Sequence, residues 1–231
     1  MTTTLARSLR PHTASAPTFF VSSLSCAHDD GHDAACRYAV AWSINPHMDP
    51  GTPVDLQRAR RQHLGLTRAL RSAGADVVTL PFVHGAHDSI FVKDAGVIVR
   101  DGPRVAALLG RFRHPERRAE QGARAVDLEA HGVDVLVTSA YLEGGDVVVG
   151  KGLVCFGHGP RSDTSAQRDL ERFLGRSVLP LELVDPALFH LDMAVSLLDD
   201  GLCLVCKDAL SPASFRALQE RVSDIVVVSY D

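Results

Sequence analysis

The sequence has no long apolar run. No stretch approaches the roughly 20 residues that a membrane-spanning helix needs, so no membrane role is expected. It has no marked excess of either charge. Twenty-four Lys and Arg face 28 Asp and Glu, for a net charge of −4. No polybasic run marks a nucleic-acid or membrane-surface partner. There is no phosphate-binding loop, no dinucleotide fingerprint and no G-x-S-x-G elbow. The five cysteines are an odd number with no extracellular signature, so reduced thiols and a cytoplasmic location are expected. Residues 1–17 carry Arg7 and Arg10 but no apolar signal core, and read as a disordered tail. Their Arg, Ser and Thr content resembles an organellar transit peptide, but nothing amphipathic supports that reading. What remains is ordinary globular composition, 45% hydrophobic and 23% charged over 231 residues, and residues 18–231 read as one α/β domain.

A ββαβ pattern recurs three times. The first copy opens at Asp94 with AGVIVR, a turn at Asp101-Gly102, VAALLG, a helix over Pro115 to Ala130, and VDVLVTS. The second opens at Asp146 with VVVG, a turn at Lys151-Gly152, LVCFG, a helix over Asp163 to Leu174, and SVLPLEL. The third opens at Asp192 with MAVSLL, a turn at Asp200-Gly201, LCLVCK, a helix over Ser211 to Arg221, and DIVVVS. Gly-bearing turns between β-branched runs suit hairpins, and Ser211-Pro212 suits a helix start. A looser copy precedes these, with FFVSS and RYAVAWSI as strands, Val54 to Ala73 as helix and ADVVTLP as closing strand. Repeats of about fifty residues imply a propeller or an array. A radial arrangement would gather Asp94, Asp146 and Asp192 near one axis; an open sheet would leave them as strand starts. The repeat alone does not decide between the two.

Chemistry-bearing residues cluster where the copies begin. Asp88 and Asp94 bracket the apolar run DSIFVKD, and carboxylates suit a planar guanidinium because each accepts two parallel N–H bonds. The plain alternative is a solvated turn and a hairpin cap. In LEGGDVVV the two glycines free Glu143 to point into a cavity. In FHLDMAV, His190 and Asp192 would share one face of an extended segment, and the carboxylate would raise and orient the imidazole. Arg161 lies in a Gly-rich turn, and Arg111, Arg113, Arg117 and Arg118 crowd a helix start. Most of these are expected on the solvated face. INPHMDP is a Pro-rich loop of the kind that forms a pocket wall. Cys203 and Cys206 form C-x-x-C inside a strand, with the two thiols on opposite faces. Cys26, His28, His32 and Cys36 form a metal set by residue type, but their spacing matches no standard zinc pattern, and no metal is assigned.

Taken together, INPHMDP, DSIFVKD, LEGGDVVV, GPRSD and LVDPALFHLD resemble the guanidine-modifying, or amidinotransferase, superfamily. The detail is most similar to dimethylarginine dimethylaminohydrolase-like proteins, from about Ile44 onward. The resemblance implies a pseudo-fivefold α/β propeller. It also implies a hydrolase in which a cysteine thiolate attacks the guanidinium of arginine or a methylarginine, an amine leaves, and citrulline is released from a thiouronium. No cofactor or metal is implied. Residue by residue, it makes His190 the general acid–base, Glu143 a guanidinium contact and Asp192 the acid of the HLD motif. Asp88 and Asp94 become guanidinium-binding acids, and Arg161 and Arg111 become carboxylate-binding arginines.

The family's nucleophilic cysteine lies in the last blade, and none of the five cysteines matches it. The expectation is therefore a propeller lacking its last blade, inactive by itself, with the open gap leaving room for a homodimer. An amidinotransferase and a non-catalytic binder of arginine-like ligands are the alternatives.

Overall fold

The structure is a computed structural model that describes residues 16–26, 32–198 and 201–229. Most of the expected tail therefore lies outside the described residues. The chain forms four small sheets rather than one. The first pairs β1 (Thr18–Ser22) with β2 (Asp76–Leu80) in parallel, joined by helix α1 (Leu56–Ser72). Asp55 caps α1, its carboxylate accepting from Arg58 N at 2.9 Å.

Three sheets of one design follow. β3 (Gly96–Asp101), β4 (Arg104–Arg111), α2 (Ala119–Ala130) and β5 (Asp134–Tyr141) make the second unit. β6 (Val147–Val149), β7 (Val154–His158), α3 (Gln167–Leu174) and β8 (Leu179–Glu182) make the third. The four-residue helix α4 (Leu191–Ala194) leads into the fourth, made of β9 (Val195–Leu197), β10 (Leu202–Val205), α5 (Pro212–Gln219) and β11 (Asp224–Val227). In each, the middle strand is antiparallel to the first and parallel to the last. Gly102, Gly152 and Gly201 turn the three hairpins with φ of +59°, +86° and +89°, a region that costs glycine nothing.

The middle strands β4 and β7 bury both faces, which is why they read as unbroken apolar runs. Side chains alternate across a strand. Ala107 and Leu109 of β4 pack with Leu80 and Leu128, while Ala106 and Leu108 pack with Leu142, Phe156 and Leu170. Likewise β7 gives Val154 and Phe156 to that second cluster and Cys155 to a third with Leu191, Cys203, Val205 and Leu218. Each core thus lies between consecutive units, first with second, second with third, third with fourth.

Two expectations change. Residues 37–44 (RYAVAWSI) form no strand. Arg37 makes one bridge with Ser25; beyond it, the Ala41 N–H bonds His87 Nδ1 at 3.3 Å and Trp42 stacks on the same imidazole at 3.6 Å. Contacts to one side chain replace a ladder. α3 begins at Gln167 because Asp163 caps a preceding 3-10 turn, Thr164–Ala166, through Ser165 N.

Candidate active site

Three short helical turns immediately precede the three hairpins: Val92–Ala95 before β3, Gly144–Asp146 before β6, and α4 before β9. They pack against one another, and the two glycines of LEGGD explain how closely. A Cβ on Gly144 would lie 2.0 Å from the Lys93 carbonyl oxygen and 2.2 Å from that of Gly96. A Cβ on Gly145 would lie 2.5 Å from His190 Nδ1. The glycines are required by close approach.

The packing gathers buried ionisable groups. Asp88, Asp94, Glu120, Glu143, Asp146, Arg117, Arg161 and His190 are all buried, with Glu143 and Asp146 fully so. His190 Nε2 donates to Glu143 Oε2 at 3.0 Å, and its Nδ1 lies 3.8 Å from Asp94 Oδ1. Asp146 holds the frame. It accepts from Ser162 Oγ at 2.5 Å and from Leu191 N at 3.1 Å, while Ser162 Oγ accepts from Glu143 N at 2.9 Å. One carboxyl thus ties the β6 turn, the loop before α3 and the start of α4 together.

Arg117 fills the centre. It donates Nη1 to Asp94 Oδ2 at 2.8 Å, Nε and Nη2 to Glu120 at 2.7 and 3.0 Å, and Nη2 to the Asp88 carbonyl at 3.1 Å. Its Nη1 is 4.0 Å from Glu143 Oε2. Arg161 lies under the Phe189 ring at 4.4 Å, reaches Glu143 Oε2 at 3.4 Å and donates to Ile44 O at 3.2 Å. His47 of the same Pro-rich loop bonds Ala187 O at 2.9 Å, so that loop is fastened over the segment leading to His190.

Burial and charge compete throughout. Burial opposes a charged His190, but the Glu143 hydrogen bond and the charges of Asp94 and Asp146 outweigh it and raise its pKa. Burial pushes Glu143 up, yet His190, Arg161 and Arg117 bring it down to about 2. At Asp146 burial wins over His190 and Ser162, and the carboxyl rises to about 7. At Asp88 burial again wins over the opposing charge of Arg117, and the pKa is raised. Among the described residues, no group donates a hydrogen bond to the Asp88 carboxylate; His87 Nε2 stands 3.6 Å from its Oδ1. Burial and Arg117 hold His87 down at about 4, so its ring is neutral near pH 7.

Of the residues singled out in the sequence, the structure brings together Asp88, Asp94, Glu143, Arg161 and His190. It does not bring Asp192 or Arg111. Asp192 was expected to share a face with His190 on an extended segment; α4 turns it away, and it pairs with Lys93 Nζ at 2.7 Å on a half-exposed surface. Arg111 is exposed at the end of β4, its guanidinium 5.2 Å from the Tyr141 ring centre. Arg117, named among arginines mostly expected on the solvated face, is buried instead, and its partner Glu120 was not singled out; their i, i+3 spacing in the α2 lead-in was the available signal. A cleft of about 580 Å³ lies elsewhere, between β1 and β3, and its walls include neither His190 nor the carboxylates.

All five cysteines are buried. Cys155, Cys203 and Cys206 belong to one core cluster, Cys26 and Cys36 to another. Burial pushes the Cys155 thiol up to about 12 and raises Cys203. Of the metal set read from the sequence, His28 lies outside the described residues. No described helix is long and apolar enough to cross a membrane.

The fold and the motifs that line this site place the chain in the guanidine-modifying superfamily. Within it, the chain belongs to the family described as N,N dimethylarginine dimethylhydrolase, eukaryotic, whose profile matches residues 47–231. It is 35% identical over 192 residues to N(G),N(G)-dimethylarginine dimethylaminohydrolase of Mycobacterium tuberculosis, covering 83% of this chain and 62% of that protein. The chain therefore spans less than two thirds of that relative's length. A solved complex of an AgrE mutant with L-arginine is similar at a TM-score of 0.80 and 25% identity, over 92% of this chain and 31% of that one. The fold also matches the dimethylarginine hydrolase of Pseudomonas aeruginosa complexed with citrulline, at a TM-score of 0.64 and 17% identity, over 92% and 76% of the two chains.

Proposed function

We propose that the buried cluster is the guanidinium site of a thiol-dependent hydrolase acting on arginine or a methylated arginine. The observation that carries this is Asp88. Its carboxylate is buried, takes no hydrogen bond from a described group and has a raised pKa. A buried carboxylate in that state gains most from an incoming planar cation. Glu143, ionised down to about pH 2, supplies the second acceptor. His190, with its raised pKa, is charged at the start and gives a proton to the leaving amine. As the neutral ring it then takes a proton from water, which attacks the thiouronium and releases citrulline. Arg161 and the Ile44–His47 loop would face the remainder of the substrate, and that loop must open for entry. Arg117 holds Asp94 and Glu120 in place.

The four units are read as four blades of a ring. Phe19 is 43% exposed on β1, and Leu204 is only half-buried on β10. A further blade would cover both.

In this reading none of the five cysteines is the nucleophile, because each is packed in a core and the thiol at Cys155 is raised to about 12. The same observation favours a second reading, a binder of arginine-like ligands without turnover. Calorimetric titration of the 231-residue chain tests the shared core. Arginine or N,N-dimethylarginine should bind, citrulline (neutral at the same position) should bind far more weakly, and Glu143→Gln should abolish the difference. Equal binding of arginine and citrulline by the unmodified chain would remove the guanidinium site. Citrulline formation by this chain would remove the claim about the cysteines.

A further inference from the structure

A second set of donors lies outside the guanidinium site, where residues 33–36 meet the loop after β2. Asp33 and Cys36 stand at the two ends of one 3-10 turn, Ala34–Cys36. Residues three apart in such a turn share a face. His84 reaches that face from the loop after β2. One carboxylate oxygen, the Cys36 thiol and one His84 ring nitrogen all lie within 4.8 Å of one another. Cys36 is 3% exposed while the other two are open to solvent, so the set has a buried thiol floor and an accessible mouth.

We infer that Asp33, Cys36 and His84 bind a divalent cation of the zinc class. A thiolate with an imidazole and a carboxylate is a donor set suited to zinc, and a hard cation such as magnesium would not select it. Tetrahedral ligands with zinc bonds of about 2.0–2.3 Å stand about 3.3–3.7 Å apart. The three donors therefore need only small movements, and water completes the fourth position. His84 Nε2 and Asp33 Oδ2 are 2.7 Å apart, a hydrogen bond that the cation would replace. The other Asp33 oxygen already accepts from Ala35 N at 2.8 Å, and Ala35 O accepts from Gly85 N at 2.9 Å. These bonds hold the carboxylate and the two segments in register without using the ligand atoms, as groups behind a metal ligand do. Binding displaces the Cys36 thiol proton to solvent. Nε2, which donates to Asp33 when no cation is bound, gives up its proton and ligates through its lone pair, and the neutral ring carries a proton on Nδ1 instead.

The cation would pin the turn Ala34–Cys36 to the loop that continues, three residues beyond His84, into His87 and Asp88. Its role is structural, and it does not depend on turnover at the guanidinium site.

Cobalt(II) titration of the full 231-residue chain under reducing conditions tests the site. One equivalent should give a thiolate-to-cobalt charge-transfer band that zinc abolishes. Cys36→Ser should remove the band, His84→Ala and Asp33→Asn should weaken cobalt binding by about tenfold or more, and Cys155→Ser should leave it unchanged. His84→Ala changes an exposed side chain, so it keeps the test valid if Cys36→Ser does not fold. Absence of a charge-transfer band in the unmodified chain, or a band that survives His84→Ala at unchanged affinity, overturns the site.

Discussion

Arg117 Nη1 donates to Asp94 Oδ2 at 2.8 Å, joining the lead-in of α2 to the turn before β3 in the buried centre of the molecule. The same guanidinium is held by both oxygens of Glu120. Removing one partner of such a network leaves buried charge uncompensated. Arg117→Met should therefore destabilise the chain by about 3–5 kcal/mol, measured by urea unfolding. Glu120, already pushed up to about 7, can neutralise itself, so Arg117→Met with Glu120→Leu should recover part of the loss. If Arg117→Met shifts the midpoint no more than a surface substitution does, the network is not holding the fold.

His190 and Glu143 should titrate as a pair. The folded pKa of His190 is raised, so its contribution to stability is full below about 6.5, the free imidazole value, and is lost as pH climbs through the folded value. Glu143 is lowered from 4.5 to about 2, so its contribution is present above about 4.5 and lost as pH falls toward 2. The pair is intact between those limits. NMR titration should place the His190 ring above a free histidine, and Glu143→Gln should bring it down. A His190 pKa that is unaltered by Glu143→Gln contradicts the hydrogen bond.

Guanidinium affinity should fall as the solution is acidified through the raised pKa of Asp88. The cation binds the ionised form, so at lower pH each binding event must first release the Asp88 proton. Calorimetry in buffers of different ionisation heat should detect that proton. Asp88→Asn should weaken binding and abolish the linkage. Affinity that does not change with pH would argue that the cation sits elsewhere.

Asp192 and Arg111 should matter little to stability. The Asp192–Lys93 pair is half-exposed, and pairs of that kind contribute about 0–1 kcal/mol. Asp192→Asn and Arg111→Ala should each leave the urea midpoint nearly unchanged, and should leave arginine affinity within about fivefold, since about 1 kcal/mol is the most an exposed pair is expected to carry. A large loss of affinity in either would restore it to the site.

Gly144→Ala should be severe. The added methyl meets backbone oxygens at 2.0 and 2.2 Å, and neither can rotate away, so the turns before β3 and β6 must part. A loss of several kcal/mol is expected, at the high end of what overpacking costs (about 1–3 kcal/mol or more). A wild-type melting curve would show that the turns are not packed as described.

The three ββαβ units were legible because their signals are local. Gly102, Gly152 and Gly201 mark the hairpins, Ser211 and Pro212 mark α5, and the middle strands are apolar on both faces. The acids at the start of units were legible for the same reason. What failed depended on distance along the chain or on one turn of backbone. Residues 37–44 have strand composition but spend their contacts on His87. Asp192 is turned away by a helix of only four residues. Arg117 looked like one of several surface arginines, because the acid that buries it is 23 positions earlier. His84 stands 48 positions after Cys36 in the sequence and meets its turn only in three dimensions.

The most direct measurement is a crystal structure of the chain with N,N-dimethylarginine bound. The account predicts the guanidinium carbon beside His190, with the guanidinium nitrogens bonded to Asp88 and Glu143 and the Ile44–His47 loop displaced from Ala187. A ligand lodged in the cleft between β1 and β3, with Asp88 and Glu143 untouched, would contradict it.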